Sequence, residues 1–586
     1  MTARVIVRSP NGGPSPGSWL PSTDAEVDRA LDAAEAATEA LADSPALRLA
    51  AIAALAEAIE TARDEFADLI VAEGGKRPDE AAAEVEYALA FLADAARHAE
   101  AEAEELGDGR RVDAWPIGPA LLITPFNDPL AGLTRKIGPA LAAGCPVLLK
   151  PSPLAMLVAS RLASAVTQPA RGLLHLLAVP EPERIARLAA DRRVAIVSLT
   201  GSTEAGRAVA AAAAEGPKPA IMELGGNCPM VVLEGADLED AARAAVARKL
   251  SAAGQACSAI NRILVAEPVF EAFCRHLRAG MAAAHAGMPE DPHARCGPVR
   301  TVASAMRLRR LVEHGLARGE RLIHGDLPAE TFAEDAPVLV QPMILVSPPG
   351  GSVLDSNEAF GPLLALQPVA PARLAHRLRA ERQPLAAYIF GPDAEAEALA
   401  RPLRFGSIGI NTTAIQGANV PTGGFGAAGF GREGGRWGVA GFRTTRNLRR
   451  AHRAGEPGPV RRLSAATVPP STSPVANGTA ASGLVFVGGQ MPRDPATGRI
   501  VEGADAQALM SLDHALAVAA RAGAGPADVL LAIVYVTDLA AKPAVNAAFR
   551  ARFGTNPPAR NLVAVSEIGE GACVEIGLIA RAPARC

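Results

Sequence analysis

Short apolar segments that alternate with helical stretches are the feature that most restricts the fold of this chain. Residues 120–124, 144–150 and 194–200 are rich in Val, Ile and Leu, and each is followed by Pro or Gly. Unbroken apolar strands of this length are typical of a parallel sheet that helices cover on both faces. A second series begins at residues 229–233. The sequence therefore predicts an α/β fold.

Length, charge and composition exclude several classes of protein. The chain has 586 residues, which is enough for several domains. Its 58 Lys and Arg residues stand against 62 Asp and Glu residues, so there is no basic field for nucleic acid. No apolar run is long enough to span a membrane without a charge, and the first 20 residues lack the apolar core of a signal peptide. We therefore expect a soluble, cytoplasmic protein with no nucleic-acid or membrane partner.

The cysteine and histidine patterns argue against disulfides and metals. The seven cysteines are odd in number and widely spaced, and no C-x-x-C occurs. The ten histidines include no H-E-x-x-H. A disulfide framework, a cysteine zinc site and a zincin centre are therefore not expected. Four cysteines are expected to lie in the core: Cys145, Cys228, Cys274 and Cys296.

One cysteine lies in a setting that suits a nucleophile. Cys257 stands among small residues in the segment 254–258 (GQACS), where a substrate carbon could approach closely. A buried cysteine is more often a small core residue, and this motif alone leaves that alternative open. Three other residues carry chemistry: Glu223 precedes a glycine pair, Asn127 lies on a turn bounded by prolines, and Lys150 ends a predicted strand. Together they form a set suited to covalent catalysis.

Six motifs follow one another in a recognisable order. They are the turn holding Asn127, Lys-Pro at 150–151, G-S-T-x-x-G at 201–206, E-L-G-G at 223–226, G-Q-x-C at 254–257 and E-x-F-G-P at 358–362. On these motifs, residues 1 to about 450 resemble the aldehyde dehydrogenase superfamily. The resemblance implies a Rossmann-like cofactor domain plus an α/β catalytic domain with oligomerisation strands. Its implied boundaries are 1–225 for NAD(P) binding, 226–427 for the catalytic domain and 428–450 for a return to the cofactor and oligomerisation region.

The resemblance assigns roles to the candidate catalytic residues. Cys257 would attack the aldehyde carbon as a thiolate. The Asn127 amide and the Cys257 backbone N–H would stabilise the oxyanion. Glu223 would activate the water that hydrolyses the thioester, which favours a free acid as product.

The resemblance also implies a nicotinamide cofactor, with Lys150 on the adenosine ribose and Glu358 on the nicotinamide ribose. The helix that opens after Gly201 would bind the pyrophosphate. The cofactor residues implied are Thr124, Pro125, Lys150, Ser152, Gly201, Ser202, Gly206, Leu224, Gly225, Glu358 and Phe360. Pro153 stands where NAD-preferring members often carry a Glu, so NADP⁺ stays open although NAD⁺ is slightly favoured. The G-x-G-x-x-G at 424–429 follows no predicted strand and is rejected as a dinucleotide motif.

Arg135 is the candidate substrate residue. It lies eight residues past Asn127, at a position that lines the aldehyde pocket in the family. A buried Arg needs an anionic partner, which suggests an aldehyde with a distal carboxylate. The alternative is pairing with a carboxylate of the protein. The segment around Arg135 most resembles the lactaldehyde and phosphonoacetaldehyde branch, whose substrates are also small and polar.

A second resemblance covers the end of the chain. Its motifs are GGQMP at 488–492, DPATG at 494–498, PPAR at 557–560 and VEI at 574–576. On these, residues from about 465 onward resemble the Rid (reactive intermediate deaminase, YjgF-type) family, an α+β fold like that of chorismate mutase. The expected boundaries are a basic linker at 451–468, with a phosphate- or nucleic-acid-binding patch as the alternative, and a Rid-like domain at 469–586.

The Rid resemblance implies a second site. Arg560 would grip a substrate carboxylate, Glu575 would position water for imine hydrolysis, and Asn546 would belong to the same site. The family's Tyr and Ser pocket positions fall on Val475 and Gly488, so the pocket is altered. The alternative is a trimerising module without activity.

The two halves suggest a joint function. Oxidation of an aldehyde and hydrolysis of an enamine or imine would fit 2-aminomuconate 6-semialdehyde dehydrogenase followed by 2-aminomuconate deaminase. The alternative is a dehydrogenase for another small polar aldehyde, with the Rid-like domain as a scaffold or an imine scavenger. A catalytically dead assembly protein is disfavoured by the intact catalytic set. Dimeric dehydrogenase contacts and trimeric Rid contacts on one chain would close as a D3 hexamer.

Overall fold

The structure is a computed structural model that describes residues 3–100, 103–107, 109–348, 351–450, 460–471 and 473–582. It forms two compact units. The N-terminal unit comprises the chain up to residue 102 together with residues 113–446. The C-terminal unit comprises residues 103–112 together with the chain from residue 447.

The strands are β1 (Val5–Val7), β2 (Gly17–Trp19), β3 (Glu104–Gly107), β4 (Arg110–Pro116), β5 (Ala120–Thr124), β6 (Val147–Pro151), β7 (Leu174–Leu176), β8 (Ile196–Thr200), β9 (Ala220–Glu223), β10 (Cys228–Val232), β11 (Ile260–Ala266), β12 (Arg321–His324), β13 (Met343–Val346), β14 (Leu363–Val369), β15 (Ala386–Phe390), β16 (Ser407–Ile410), β17 (Gly429–Phe430), β18 (Arg443–Arg449), β19 (Arg461–Leu463), β20 (Gly478–Ala481), β21 (Leu484–Gln490), β22 (Val529–Val536), β23 (Ala559–Ala564) and β24 (Val574–Arg581).

The helices are α1 (Asp24–Asp43), α2 (Pro45–Thr61), α3 (Arg63–Leu69), α4 (Pro78–Ala96), α5 (Ala131–Ala143), α6 (Met156–Ala165), α7 (Pro182–Ala190), α8 (Thr203–Glu215), α9 (Leu238–Leu250), α10 (Phe270–Ala282), α11 (Val302–Ala317), α12 (Pro371–Arg379), α13 (Asp393–Ala400), α14 (Gly435–Ala440), α15 (Ala504–Ala520) and α16 (Lys542–Phe553). None of these helices is long and apolar enough to cross a lipid bilayer.

A six-stranded sheet of the N-terminal unit has the order β17-β9-β8-β5-β6-β7. All its pairings are parallel except that of β17 with β9. The three strands predicted from apolar runs are confirmed as β5, β6 and β8, and the α/β prediction holds. β6 begins three residues later than predicted, because Gly144 ends α5 at a φ of 99° and residues 145–146 form the connection.

A seven-stranded sheet of the same unit has the order β12-β13-β14-β11-β10-β15-β16 and is parallel except for the edge pair β12–β13. Its strands and covering helices bury two apolar clusters. The expectation of four core cysteines is confirmed, since Cys145, Cys228, Cys274 and Cys296 are all buried.

The two sheets of the N-terminal unit supply the candidate residues from opposite strand ends. Glu223 is the last residue of β9, and Asn127 follows the carboxyl end of β5. Cys257 instead precedes the amino end of β11, and Glu358 precedes that of β14. Ligands of open parallel sheets bind beyond the carboxyl ends of the strands, and Glu223 and Asn127 occupy that region of the six-stranded sheet.

The C-terminal unit contains a six-stranded sheet with the order β19-β20-β21-β24-β22-β23. Helices α15 and α16 pack on one face, against alternate side chains of β22 and β24 that include Val534 and Ile576. Arg461–Leu463, which sequence analysis assigns to the linker, forms β19 and pairs with β20. Residues 451–459 of that expected linker lie outside the described residues.

Candidate active sites

A cavity of about 520 Å³ in the N-terminal unit brings most of the candidate residues together. Its lining includes Thr124, Pro125, Asn127, Arg135, Lys150, Ser152, Gly201, Ser202, Glu223, Leu224, Gly225, Cys257, Glu358 and Phe360. Gly206 is the one predicted residue of this site that does not line the cavity. It lies in α8, where a β carbon would come within 2.3 Å of Leu224 Cδ2, so glycine lets the helix pack closely on the residue after β9.

The candidate nucleophile is partly exposed to this cavity. Burial raises the pKa of the Cys257 thiol to about 11, and the Arg135 guanidinium opposes that rise. The backbone around the cysteine is anchored by hydrogen bonds to carbonyl groups. Cys228 Sγ donates to the Cys257 carbonyl at 3.3 Å, and Tyr388 Oη donates to the Ser258 carbonyl at 2.6 Å. The thiol therefore needs a proton acceptor in the same cavity before it can attack as a thiolate.

Glu223 is a carboxylate of the cavity with a free oxygen that could take up a proton. Its side chain is buried, and Oε1 has no hydrogen-bond partner in the described part of the chain. Burial raises its pKa well above the ordinary value, and the nearby Glu433 carboxylate raises that pKa further. Glu433 forms a buried ion pair with Lys136, whose Nζ also donates to Ser198 Oγ at 2.8 Å.

Lys136 and Glu433 are absent from the sequence-based set. The sequence contains only weak signals for these two residues. Lys136 directly follows Arg135 in the fully buried helix α5, and Glu433 lies in the G-R-E-G segment 431–434. Because they lie 297 residues apart, only the tertiary structure shows that they form a pair.

Asn127 lines the cavity, and few protein groups compete for hydrogen bonds with its side-chain amide. Its one hydrogen bond among the described residues is a long contact of 3.5 Å from Nδ2 to Asp128 Oδ2. Asp128 itself accepts a hydrogen bond from Lys76 Nζ at 2.9 Å. The Asn127 amide is therefore available to an oxyanion.

Arg135 is buried, with 7% of its surface exposed. Its guanidinium carbon lies 4.9 Å from the ring centre of Phe91 and 5.7 Å from that of Tyr87. The nearest carboxylate contact is 4.0 Å, from Nη2 to Asp128 Oδ2. Nε has no hydrogen-bond partner in the described residues. Among the described residues, this cation has the two aromatic rings, the Tyr87 hydroxyl and a distant carboxylate, which is itself bonded to Lys76.

The other end of the cavity suits a nicotinamide cofactor. Burial lowers the pKa of Lys150 to about 8 and raises that of Glu358 to about 7. Glu358 Oε1 has no partner among the residues described, and Oε2 lies 2.6 Å from where a β carbon on Gly225 would stand. Ser202 caps α8 by accepting from Ala205 N at 3.2 Å. An unpaired carboxylate oxygen, a glycine cradle and a helix N-terminus fit the ribose and pyrophosphate of such a cofactor. Within the described residues, no cluster of three or more His, Cys, Asp or Glu is arranged to hold a metal ion.

In the C-terminal unit, the residues of the predicted second site lie on two different faces of the sheet. Arg560 pairs in register with the core residue Ala532, on the face that the helices cover. There its Nη2 donates to Asn546 Oδ1 at 2.8 Å, and its guanidinium carbon lies 4.8 Å from the Phe549 ring centre. Glu575 lies between core residues of β24 and so points to the opposite face. A single chain therefore does not bring Arg560 and Glu575 together.

Glu575 lines a pocket of about 480 Å³ that residues of β21 and of α15 also line, and burial raises its pKa. A β carbon on Gly489 would overlap its carboxylate, so this glycine makes room for it. Val475 and Gly488 line the same pocket. His514, which sequence reasoning missed, lines it as well, and its Nδ1 lies 3.1 Å from the Met491 carbonyl oxygen.

Comparisons with known proteins match both parts of the chain to known families. The aldehyde dehydrogenase family profile matches residues 3–448, and the profile described as endoribonuclease L-PSP, the Rid/YjgF type, matches residues 466–582. A succinate-semialdehyde dehydrogenase of Paenarthrobacter nicotinovorans is 35% identical over 444 residues, which cover 73% of this chain and 97% of that protein. A glutarate-semialdehyde dehydrogenase of Pseudomonas putida is 32% identical over 448 residues, which cover 74% of this chain and 92% of that protein.

A solved structure of an NADP-dependent enzyme of Escherichia coli superimposes with a TM-score of 0.72 and 30% identity, over 76% of this chain and 94% of that one. The ordered motifs, the cavity and these matches lead to one conclusion. The chain belongs to the aldehyde dehydrogenase family over residues 3–448, and a Rid/YjgF-type unit follows at residues 466–582.

Proposed function

We propose that the N-terminal unit oxidises a small anionic aldehyde to its carboxylic acid through a thioester on Cys257. The observation that carries this proposal is that Cys257, Glu223 and Asn127 line one cavity together with the cofactor residues Lys150 and Glu358. Family membership supports the reaction class.

The residues divide the reaction between them. Cys257 Sγ passes its proton to Glu223 and bonds to the carbonyl carbon, while the oxyanion accepts hydrogen bonds from Asn127 Nδ2 and the Cys257 N–H. When bound, a nicotinamide cofactor would supply the acceptor for the hydride, whose loss from this carbon leaves the thioester on Cys257. Glu223, having released the thiol proton to solvent, then takes a proton from water, whose oxygen attacks the thioester; the acid leaves, and the departing sulfur regains a proton from Glu223. Lys150 and Glu358 would hold the cofactor by its two riboses.

The test of this activity is oxidation of semialdehydes with NAD⁺ or NADP⁺, measured by the absorbance of the reduced nicotinamide. The wild-type chain should turn over, and Cys257→Ala should abolish turnover while cofactor binding persists. Cys573→Ala, which changes a thiol of the C-terminal unit, is the matched control and should leave oxidation intact. Full oxidation by Cys257→Ala would refute the proposal.

An acid group distal to the aldehyde is the proposed substrate feature. Arg135 lines the cavity, its Nε is unpaired in the described residues, and the nearest carboxylate lies at 4.0 Å. The relatives from Paenarthrobacter and Pseudomonas are described as acting on succinate and glutarate semialdehydes, which both carry such a carboxylate. Lactaldehyde-like and phosphonoacetaldehyde-like substrates are the second candidate class.

For the cofactor, NAD⁺ is the first choice. NADP⁺ is the alternative, because Pro153 at the cavity wall offers no carboxylate to repel a 2′-phosphate.

For the C-terminal unit, we propose hydrolysis of an imine or enamine beside a carboxylate, with release of ammonia. Glu575 in its pocket would activate water. Because Arg560 lies on the other face of the sheet, carboxylate recognition by Arg560 would require a second copy of the chain. The face that carries Glu575 has exposed apolar side chains: Phe486 and Val563 are 43% and 45% exposed there. Coverage by neighbouring copies would form a trimer, and dimeric dehydrogenase contacts would extend it to a D3 hexamer.

2-Aminomuconate 6-semialdehyde is the candidate that would use both units, since its oxidation product carries an amino group next to a carboxylate. The experiment measures ammonia alongside reduced cofactor, with light scattering for the assembly. Ammonia that the wild type forms and Arg560→Ala loses would support the bifunctional proposal. Reduced cofactor without ammonia would favour a scaffold or scavenger role, and a monomer in light scattering would contradict the assembly.

A further inference from the structure

Three consecutive residues before the candidate nucleophile have left-handed backbone conformation. Ala252, Ala253 and Gly254 have φ values of 48°, 54° and 72°. Only the glycine adopts this conformation without steric cost, because a β carbon clashes with the backbone there. Two alanines in such a conformation persist only where surrounding contacts hold them. The turn at residues 252–254 is therefore maintained by its neighbours, and Cys257 follows three residues later.

Glu80 supplies the contact at the start of this turn. Its Oε1 accepts a hydrogen bond from the Ala252 N–H at 2.8 Å. Its Oε2 accepts one from the Arg77 N–H at 3.2 Å, at the first turn of α4. One carboxylate thus joins the amino end of a helix to the first strained residue, although the two segments are 172 residues apart.

The other end of the turn is held separately. Gln255 Oε1 accepts from the Arg300 N–H at 2.8 Å, and Gln255 Nε2 donates to the Ala252 carbonyl at 3.2 Å. With Glu80 on the amide and Gln255 on the carbonyl, both polar groups of the Ala252 backbone are bonded to side chains. Loss of the Glu80 contact frees the Ala252 amide and so removes one restraint on relaxation of Ala252 to a right-handed conformation.

Relaxation of the turn would disturb both ends of the catalytic cavity. A β carbon on Gly254 would lie 2.4 Å from the Gly361 carbonyl oxygen, so the turn packs directly on the backbone that follows Glu358 and Phe360. Phe360 is itself left-handed, with a φ of 45°. Movement at Ala252 would therefore shift Cys257 and the Glu358 loop relative to Asn127.

We propose that Glu80 is a positioning residue for the nucleophile: its carboxylate holds the turn at residues 252–254 in the left-handed conformation that sets Cys257 in the cavity. This inference rests on the role of Cys257 in the proposed function. Misplacement of a reacting atom by about 1 Å can lower a rate by about a hundredfold. A loss of at least about tenfold in kcat is expected when the contact is removed.

The first test compares Glu80→Ala with Glu80→Gln, because glutamine keeps an oxygen acceptor for the Ala252 amide. Glu80→Ala should lower kcat at least about tenfold, with KM for the cofactor changed less than about twofold, and Glu80→Gln should recover most of the loss. Glu86→Ala, which removes an exposed carboxylate of the same helix, is the control and should match the wild type. A kcat for Glu80→Ala within twofold of wild type, or no recovery in Glu80→Gln, would overturn the proposal.

The second test removes the strain instead of restoring the contact. Glycine adopts a positive φ freely, so Ala252→Gly combined with Glu80→Ala should recover at least a third of the kcat that Glu80→Ala loses. Ala256→Gly in the same background lies outside the left-handed turn and should recover none. Failure of the Ala252→Gly combination to recover kcat would overturn the proposal, and this arm stays informative if Glu80→Ala alone is unstable.

A readout independent of turnover is hydrogen exchange of the peptide that spans residues 250–257. The amide of Ala252 should be protected in the wild type and in Glu86→Ala, and should exchange at least about tenfold faster in Glu80→Ala. Unchanged hydrogen exchange in Glu80→Ala would show that the Glu80 carboxylate does not hold the Ala252 amide. If the proposed function itself is wrong, the Cys257→Ala variant will still oxidise the aldehyde. That result is distinct from unchanged hydrogen exchange at Ala252.

Discussion

Arg135 and Asp128 approach each other only to 4.0 Å, from Nη2 to Oδ2, at the outer limit of an ion pair. Asp128 is bonded more closely to Lys76, at 2.9 Å. The guanidinium charge is therefore not fully used by a carboxylate of the described residues, which is the physical basis for the proposed anionic substrate.

Arg135→Ala should raise KM for a semialdehyde with a distal carboxylate by about 10- to 100-fold, because a hydrogen bond between charged groups contributes about 1.5–3 kcal/mol. KM for benzaldehyde, which has no anionic group, should change less than about threefold. Steady-state kinetics with both aldehydes checks this. Equal increases for the two substrates would show that Arg135 is structural.

Gly225→Ala should weaken cofactor binding. A β carbon at this position would lie 2.6 Å from Glu358 Oε2, so the carboxylate must move away from the ribose it is proposed to hold. KM for the cofactor is expected to rise about tenfold, as one charge-assisted hydrogen bond is lost. Gly74→Ala is the matched control, since a β carbon there meets nothing within 4 Å. An unchanged KM in Gly225→Ala would argue against a role for Glu358 at the ribose.

Glu433→Gln should move the pH dependence of kcat toward lower pH. Burial and the Glu433 charge both raise the pKa of Glu223, and a base acts only once it has lost its proton. Removal of the Glu433 charge lowers that pKa, so the rise of kcat with pH should begin at a lower pH. The profile is measured for wild type and variant, with Glu334→Gln as a control. A shift toward higher pH, or none, would show that Glu433 does not act on Glu223 through its charge.

Gly489→Ala should abolish ammonia release without affecting aldehyde oxidation. A β carbon at Gly489 would stand 1.6 Å from Glu575 Oε1, and the carboxylate cannot keep its position. The adjacent Gly488→Ala is a close control, because its nearest contacts are ordinary at 3.6 Å. Paired assays of ammonia and reduced cofactor check this. Ammonia release that persists in Gly489→Ala would remove Glu575 from the proposed mechanism.

Local sequence was sufficient to predict three strands of the six-stranded sheet and most of the candidate residues that line the N-terminal cavity. Strands β5, β6 and β8 follow from apolar runs, because burial on both faces requires apolar residues throughout. The candidate residues of the cavity follow from ordered motifs at strand ends. By contrast, β19 could not be foreseen: Arg461–Leu463 has no apolar pattern, and backbone bonds to β20 make it a strand.

Tertiary structure alone decided how charges are paired and which faces residues occupy. Arg560 and Glu575 stand 15 residues apart in motifs of one resemblance, yet the alternation of side chains along β23 and β24 sends them to opposite faces of the sheet. The pairing of Lys136 with Glu433 and the bond from Ala252 to Glu80 join residues 297 and 172 positions apart. A sequence specifies which groups are present, whereas burial, distance and charge partners, which set their pKa values and roles, arise only when distant segments pack together.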